Sequence, residues 1–382
     1  MKARLIAICL ILSVCTLAMA KSTSVAPVKQ LAERVCGRGA SKYFVFTLTQ
    51  GKGGEETFTI APQDGKVAVS ATSVSALATG LNWYLNHHAG VNISWSNLTQ
   101  RVEHFPLPER EETHSTGARW RYYLNYCTFS YSMAFWDWER WQQEIDWMAL
   151  HGINLPLMAV GMDAVWYDVL TRDFGFTHDE ASAFIAGPAF QGWWLMNNLT
   201  GHGGPNPEWW YKRQAALGRK IVSRMTELGM KPCIPGFVGM APKKYVDDCG
   251  AKAYDGDWCG FASPLLLQPG EAFDRLAQQY YKRVKSVYGF TPKVYSMDPV
   301  HERWLPQGMG VEGYKALCDA ARNAMDSYGG DNPIWLAQMW QVNADQHRID
   351  ALPVERTLLL DLSSERGMTY QSRFAGREYI FC

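Results

Sequence analysis

The sequence predicts an α/β protein: a (β/α)8-type barrel, incomplete at its C-terminal end and preceded by a small α/β N-terminal domain. Three observations carry this expectation. From Arg119 onward, short apolar runs alternate with long amphipathic helical stretches, the signature of a parallel sheet or barrel. Two of those runs, residues 294–297 and 357–360, stop at Asp298 and Asp361, and each is followed four residues later by a glutamate, Glu302 or Glu365. Strands that end in acids deliver carboxylates to a barrel rim. Ahead of Arg119 the pattern is different: short β-rich runs, an Asp64-Gly65 hairpin signal and a single helix.

In chain order, residues 1–20 carry Lys2 and Arg4, an apolar stretch over 5–14 and the triplet Ala18-Met19-Ala20. That is the pattern of a secretory signal peptide cleaved after Ala20, so a secreted or periplasmic location is expected. No later stretch is long and apolar enough to span a membrane. The small α/β domain is expected over residues 21–112. Residues 42–48, 57–60 and 67–70 gather β-formers. Residues 73–88 read as a helix with Ser73 as N-cap, Leu77, Leu81, Tyr84 and Leu85 on one face, and Gly90 at its end. Residues 91–95 read as a further strand, and residues 104–114, with Pro106, Pro108 and several acids, as a linker.

The barrel is expected over residues 113–382. Its first strand is 122–126; Asp137 then caps a helix that places Trp138, Trp141, Ile145 and Met148 on one face, closed by Gly152. The second strand is 153–160, followed by helices through Trp166, Phe184 and Trp194 and a long amphipathic one at 208–228. The third strand is 230–238, and a loop rich in Asp and Gly leads to a helix at 271–288. Strands at 294–297, 334–339, 357–360 and 378–382 follow, with a helix at 313–328 after the first of them. An eight-stranded barrel needs one strand and helix more, so the reading is of a truncated barrel.

A formal net charge of zero, with 19% charged and 47% hydrophobic residues, excludes a disordered chain and one that strongly seeks nucleic acid. With 16 Trp, 18 Tyr and 16 Phe the chain is rich in flat rings, which fill cores and also line carbohydrate pockets. Beyond Ala20 the cysteines are odd in number and lack C-x-x-C spacing, which argues against a disulfide framework or a zinc ribbon. Cys249 and Cys259 flank a loop and are spaced to pair in an oxidising compartment; the others read as buried apolar thiols.

Glu302 and Glu365 are the leading chemical candidates. A pair of carboxyls delivered by two strand ends supplies the acid and the nucleophile or base of glycoside hydrolysis. The alternative is structural: each glutamate caps a helix or pairs with the adjacent Arg303 or Arg366. Asp298, His301 and Glu302 would also suit a metal, but there is no H-E-x-x-H spacing and the next histidine is His347. The glycines at 51–54 and 201–204 lack the Lys-Ser/Thr context of a phosphate loop, no G-x-S-x-G elbow is present, and Cys127 has no evident His partner. Neither a cofactor nor a metal is expected. Asn92, Asn97 and Asn198 head N-x-S/T triplets.

The run RYYLNYCTFSYSMAFWDWERWQQEIDWMALHGINLPL from Arg121, with GPAFQGWW at 187–194, GMKPCIPGFVG at 229–239 and LDLSSE at 360–365, resembles the catalytic barrel of the α-N-acetylglucosaminidases, glycoside hydrolase family 89. Residues 26–112, with GLNWYLNHHAG, are similar to that family's small N-terminal domain. The resemblance implies a retaining exo-glycosidase that removes terminal non-reducing α-linked N-acetylglucosamine from mucin-type glycans or glycosaminoglycan fragments. The Glu of DPVHE, Glu302, would be the acid/base, held protonated; the Glu of LDLSSE, Glu365, would be the ionised nucleophile. Asn125, Cys127, Tyr131, Trp193, Trp258 and Trp340 match pocket positions, with rings to stack on the sugar and Asn125 to bond a hydroxyl. Family members continue beyond the residues equivalent to 379–382, which leaves an inactive or sugar-binding-only truncated fragment as the alternative. The partner implied is a glycan bearing terminal N-acetylglucosamine, with no nucleic acid and no membrane span.

Overall fold

The computed structural model describes residues 24–51, 54–340, 345–362, 374 and 376–381. The signal-peptide stretch at 1–20 and Glu365 therefore lie outside the described residues. The described residues open with a helix, Ala26–Cys36, ahead of the strands that the sequence predicts. Strands β1 (Phe44–Leu48), β2 (Glu56–Gln63), β3 (Lys66–Ala71) and β4 (Glu112–Thr116) form one sheet in the order β1-β3-β2-β4. Asp64 and Gly65, at φ 50° and 73°, make the two-residue turn between β2 and β3. Ser73 Oγ accepts from the Ala76 N–H at 3.0 Å and starts the helix Val74–His87, as its position predicted.

Two local expectations differ. Residues 91–95 form no strand; Ser94 and Asn97 make an isolated bridge in a turn. Residues 112–116, read partly as linker, are β4, so the first sheet runs past residue 112. Its sequence ETHST alternates only polar side chains because it is a sheet edge with partners on one side, so no apolar period marks it.

This domain is joined to the barrel by satisfied charges. Glu144 is fully buried and accepts from Trp95 Nε1 (2.7 Å), Tyr123 Oη (3.0 Å) and Arg140 Nη2 (2.9 Å). Arg34 grips Asp146 through two bonds of 2.6 and 2.8 Å, and Arg121 donates to Glu56. Buried carboxylates persist only when paired in this way, so these contacts fix how the two units dock.

The barrel strands are β5 (Tyr122–Tyr123), β6 (Leu155–Pro156) and β7 (Cys233–Pro235). Five short strands follow: β8 (Met240–Ala241), β9 (Ala253–Tyr254), β10 (Asp257–Trp258), β11 (Phe261–Ala262) and β12 (Leu265–Leu267). The remaining barrel strands are β13 (Val294–Ser296), β14 (Ile334–Met339), β15 (Thr357–Asp361) and β16 (Glu378–Phe381). β5 pairs with β6, Leu157 bridges to Cys233, and β7, β13, β14, β15 and β16 pair in turn, all parallel. The barrel strands thus stand side by side in chain order, as a barrel requires. Arg119 Nη1 lies 3.6 Å from Glu378 Oε2, so the N-terminal ends of β5 and β16 approach each other.

Strands buried on both sides read as continuous apolar runs, and β15, buried at every position, is an example. The helices Trp138–Leu150, Glu208–Glu227, Glu271–Tyr288 and Gly310–Tyr328 lie outside and bury one stripe each, including Trp141, Ile221, Tyr281 and Leu317. Asp137 caps the first of these by accepting from the Arg140 N–H at 3.0 Å. Strands β8 to β12, in the stretch expected as a loop rich in Asp and Gly, form a small antiparallel sheet β8-β12-β9 and the hairpin β10–β11. Cys249 and Cys259, expected to be able to pair, are both unbonded. Cys259 sits exposed at the hairpin turn with φ 51°, while Cys249 Sγ accepts from Arg275.

Candidate active site

Glu302 follows the buried strand β13 at one end of the barrel. Its backbone is left-handed, φ 51°, a conformation that disfavours L side chains and persists where the surroundings hold it. They do so through side chains from two other segments: Asn198 Nδ2 donates to Glu302 Oε2 at 2.9 Å and Trp340 Nε1 donates to Oε1 at 2.6 Å. The pairing with Arg303 weighed from sequence is not formed. The Arg303 guanidinium is buried, with Asp255 and Asp257 as the attracting charges, and burial pushes it down to about 10.

Asp298 and His301 are placed differently. Both Asp298 oxygens accept from Gln338, from its backbone N–H at 2.9 Å and its Nε2 at 2.8 Å. Burial pushes this carboxyl up to about 7 against those two bonds. His301 Nδ1 is 3.9 Å from Asp298 Oδ2, and burial, helped by the Arg348 charge, pushes the imidazole down to about 3. Among the described residues no group of three or more His, Cys, Asp or Glu side chains is gathered as a metal site needs.

The other sequence candidates within the described residues lie on segments connected to Glu302 directly or through a neighbour. Asn125 caps the short helix Tyr126–Tyr131, its Oδ1 accepting from the Thr128 N–H (2.9 Å) and Thr128 Oγ1 (2.8 Å). Its acceptor is therefore engaged, leaving the Nδ2 end to meet a hydroxyl. Cys127, on the same helix, is half-buried; its thiol is pushed up first by burial and then by the charge of Glu302. Tyr131, 77% exposed, packs edge-on against Trp193 with centroids 5.1 Å apart. Trp193 accepts through its backbone O from the Asn198 N–H at 2.9 Å, one residue link from Glu302. Trp258, on β10, belongs to a hairpin tied to the same segment: the Thr200 N–H donates to Ala262 O at 3.0 Å, and Ser263 Oγ to Asn198 O at 2.7 Å.

Asn198 is the residue that sequence reasoning missed. Read only as the head of an N-x-S/T triplet, it is fully buried and bonded to Glu302. The Asn197-Asn198 doublet was the one local signal, since Asn197 is among the few residue types that tolerate its φ of 62°.

Comparison with known proteins covers both domains. The Alpha-N-acetylglucosaminidase (NAGLU) tim-barrel domain matches residues 121–382 and the corresponding N-terminal domain matches residues 26–109. Human Alpha-N-acetylglucosaminidase is 32% identical over 94% of this chain and 51% of its own length, so the chain spans about half of that relative. A family 89 glycoside hydrolase from Clostridium perfringens, solved with 2-acetamido-1,2-dideoxynojirimycin, superposes with a TM-score of 0.84 at 31% identity, covering 90% of this chain and 40% of that one. A variant of the Clostridium perfringens enzyme with two glutamates replaced by glutamine, solved with its substrate GlcNAc-alpha-1,4-galactose, superposes at 0.82 with 31% identity, covering 89% and 39%. Barrel strands in chain order, a strand-end glutamate framed by Asn198 and Trp340, and matches over both domains lead to one conclusion: the chain belongs to the α-N-acetylglucosaminidase family, glycoside hydrolase family 89.

Proposed function

We propose that this protein is a secreted retaining exo-glycosidase that removes terminal non-reducing α-linked N-acetylglucosamine from glycans of the mucin type or from glycosaminoglycan fragments. The observation that carries the reading is Glu302, a strand-end carboxyl whose two oxygens are both held by N–H donors from other segments. Glu302 delivers a proton to the glycosidic oxygen as that bond breaks. Glu365 attacks the anomeric carbon and forms the glycosyl-enzyme ester. Glu302 then takes a proton from water, which attacks the same carbon and releases Glu365, so configuration is retained. The rings of Trp193, Trp258, Trp340 and Tyr131 offer faces to the sugar, and Asn125 and Cys127 line the same end of the barrel. The family 89 structure holding GlcNAc-alpha-1,4-galactose after two glutamates were exchanged for glutamine supports a two-carboxylate mechanism.

Hydrolysis of a 4-nitrophenyl α-N-acetylglucosaminide, with the product anomer followed by proton NMR, tests the proposal. The expected result is an α product, with Glu302→Gln and Glu365→Ala each losing about 10²–10⁴-fold in rate, the range for general acid–base groups. Turnover that survives Glu365→Ala overturns it. A second reading, sugar binding without turnover, draws support from the chain's spanning 51% of its human relative. Calorimetric binding of N-acetylglucosamine to folded protein with no hydrolysis would establish it. We also propose that β16 and β5 are the two edges between which the barrel closes, which the approach of Arg119 to Glu378 supports. Export by the segment 1–20 is checked by N-terminal sequencing of the secreted protein, with Lys21 expected first.

A further inference from the structure

Glu302 is framed by the lower half of a two-tier arrangement. Four residues before it, Asp298 is bound by the same two segments, one at its backbone carbonyl and the other at its carboxyl. Asn197 Nδ2 donates to Asp298 O at 3.3 Å, and Asn198 Nδ2 donates to Glu302 Oε2 at 2.9 Å. Gln338 donates twice to the Asp298 carboxyl, and Trp340, two residues further along the same extended segment, donates to Glu302 Oε1. Neighbouring asparagines on one side and alternate residues of one strand end on the other thus each serve one acid. Between the tiers, Arg348 Nη1 donates to Val300 O at 2.9 Å and Nη2 to Arg303 O at 2.7 Å, pinning the backbone that carries the left-handed Glu302.

We infer that Asp298 is the positioning residue of Glu302: by binding Gln338 with both oxygens and presenting its carbonyl to Asn197, it sets the two side chains, Trp340 and Asn198, that orient the acid/base carboxyl. Asp298 is buried with both oxygens engaged, so it acts through these neighbours and not on the substrate. A carboxyl displaced by a fraction of an ångström from the glycosidic oxygen loses rate while binding persists. The inference rests on the catalytic reading of Glu302, and its test is built so that the two can fail separately.

In the full chain, Asp298→Ala removes both acceptors, whereas the exchange Asp298→Asn with Gln338→Glu keeps two bonds and one carboxyl. With the aryl α-N-acetylglucosaminide, Asp298→Ala is expected to lower kcat about 10²-fold with KM within about threefold, and the exchange to recover kcat to within about fivefold of wild type. Gln338→Met, which deletes only the side-chain bond, is expected to lower kcat about tenfold and serves if Asp298→Ala does not fold. Independently of turnover, the Trp340 indole N–H resonance, assigned by its loss in Trp340→Phe, is expected to shift in Asp298→Ala and Gln338→Met and to return in the exchange. An unmoved resonance with kcat within twofold of wild type in either single variant overturns the inference, as does a folded exchange variant no better than Asp298→Ala. Wild-type protein without turnover but with the resonance behaving as described would sink the catalytic reading and leave the positioning intact.

Discussion

The Asp298 carboxyl should leave a measurable signature in the pH dependence of stability. It is buried, faces Tyr126, Cys233, Tyr314 and His301, and burial raises it from 3.8 to about 7. Between those values the native state holds a proton that the unfolded state has released, so stability falls as pH rises. The contribution is greatest below pH 3.8 and is lost by the time pH passes 7. At about 1.4 kcal/mol for each pH unit, the interval corresponds to about 4 kcal/mol. Asp298→Asn is the perturbation that removes it, since Asn is isosteric and can still accept from the Gln338 N–H, and the Gln338 amide can turn to accept from Asn Nδ2. His301 has the opposite slope: held neutral and pushed down to about 3, it favours the native state increasingly as pH rises toward 6.5. Because His301 is present in both proteins, its slope cancels in their difference. Urea unfolding of wild type and Asp298→Asn from pH 4 to pH 8 is therefore expected to show the wild type losing about 4 kcal/mol relative to the variant, most of it below pH 7. A difference that stays constant within about 1 kcal/mol across this range would refute the reasoning.

Other outcomes follow from single contacts. Trp340→Phe deletes one of the two donors to Glu302 while keeping most of the ring; kcat on an aryl α-N-acetylglucosaminide is expected to fall about 10–100-fold, with the melting temperature nearly unchanged. A Cβ at Gly192 would stand 2.6 Å from the backbone O of Tyr126, forcing the helix Gln191–Leu195 off the helix Tyr126–Tyr131. Gly192→Ala should cost about 1–3 kcal/mol in urea unfolding and weaken sugar binding, because those two helices carry Trp193, Tyr131 and Cys127. In a glycosylating host, peptide mass mapping of the folded protein should find Asn198 bare, because it is fully buried, while Asn92 and Asn97 are exposed and open to modification.

Local chemistry was legible wherever one or two residues decide a backbone conformation. Asp64-Gly65 make a two-residue turn, Ser73 and Asp137 cap helices, and the apolar runs before Asp298 and Asp361 are buried parallel strands. Reading failed where the pattern was weak or polar: the edge strand Glu112–Thr116 has no apolar alternation, and the two- and three-residue strands from Met240 to Leu267 are too short to show a period. The docking of the two domains was also hidden, because nothing in the neighbourhood of Glu144 marks it as a buried acid awaiting Trp95, Tyr123 and Arg140.

By itself, the sequence determined the alternation of barrel strands and outer helices, the placing of Asp298 and Glu302 just beyond a strand, and the family. Periodicity and capping are local, so they specify which face of an element turns inward. Only the tertiary structure decided what those faces meet. Asn198 reaches Glu302 across 104 positions and Trp340 across 38, Asp298 spends both oxygens on Gln338, and Arg303 leaves Glu302 unpaired. These partners come from segments brought together by the packing of neighbouring barrel strands and the loops above them. Their geometry is a property of the packed sheet rather than of any single run of residues, which is why the carboxylate could be found in the sequence and its surroundings could not.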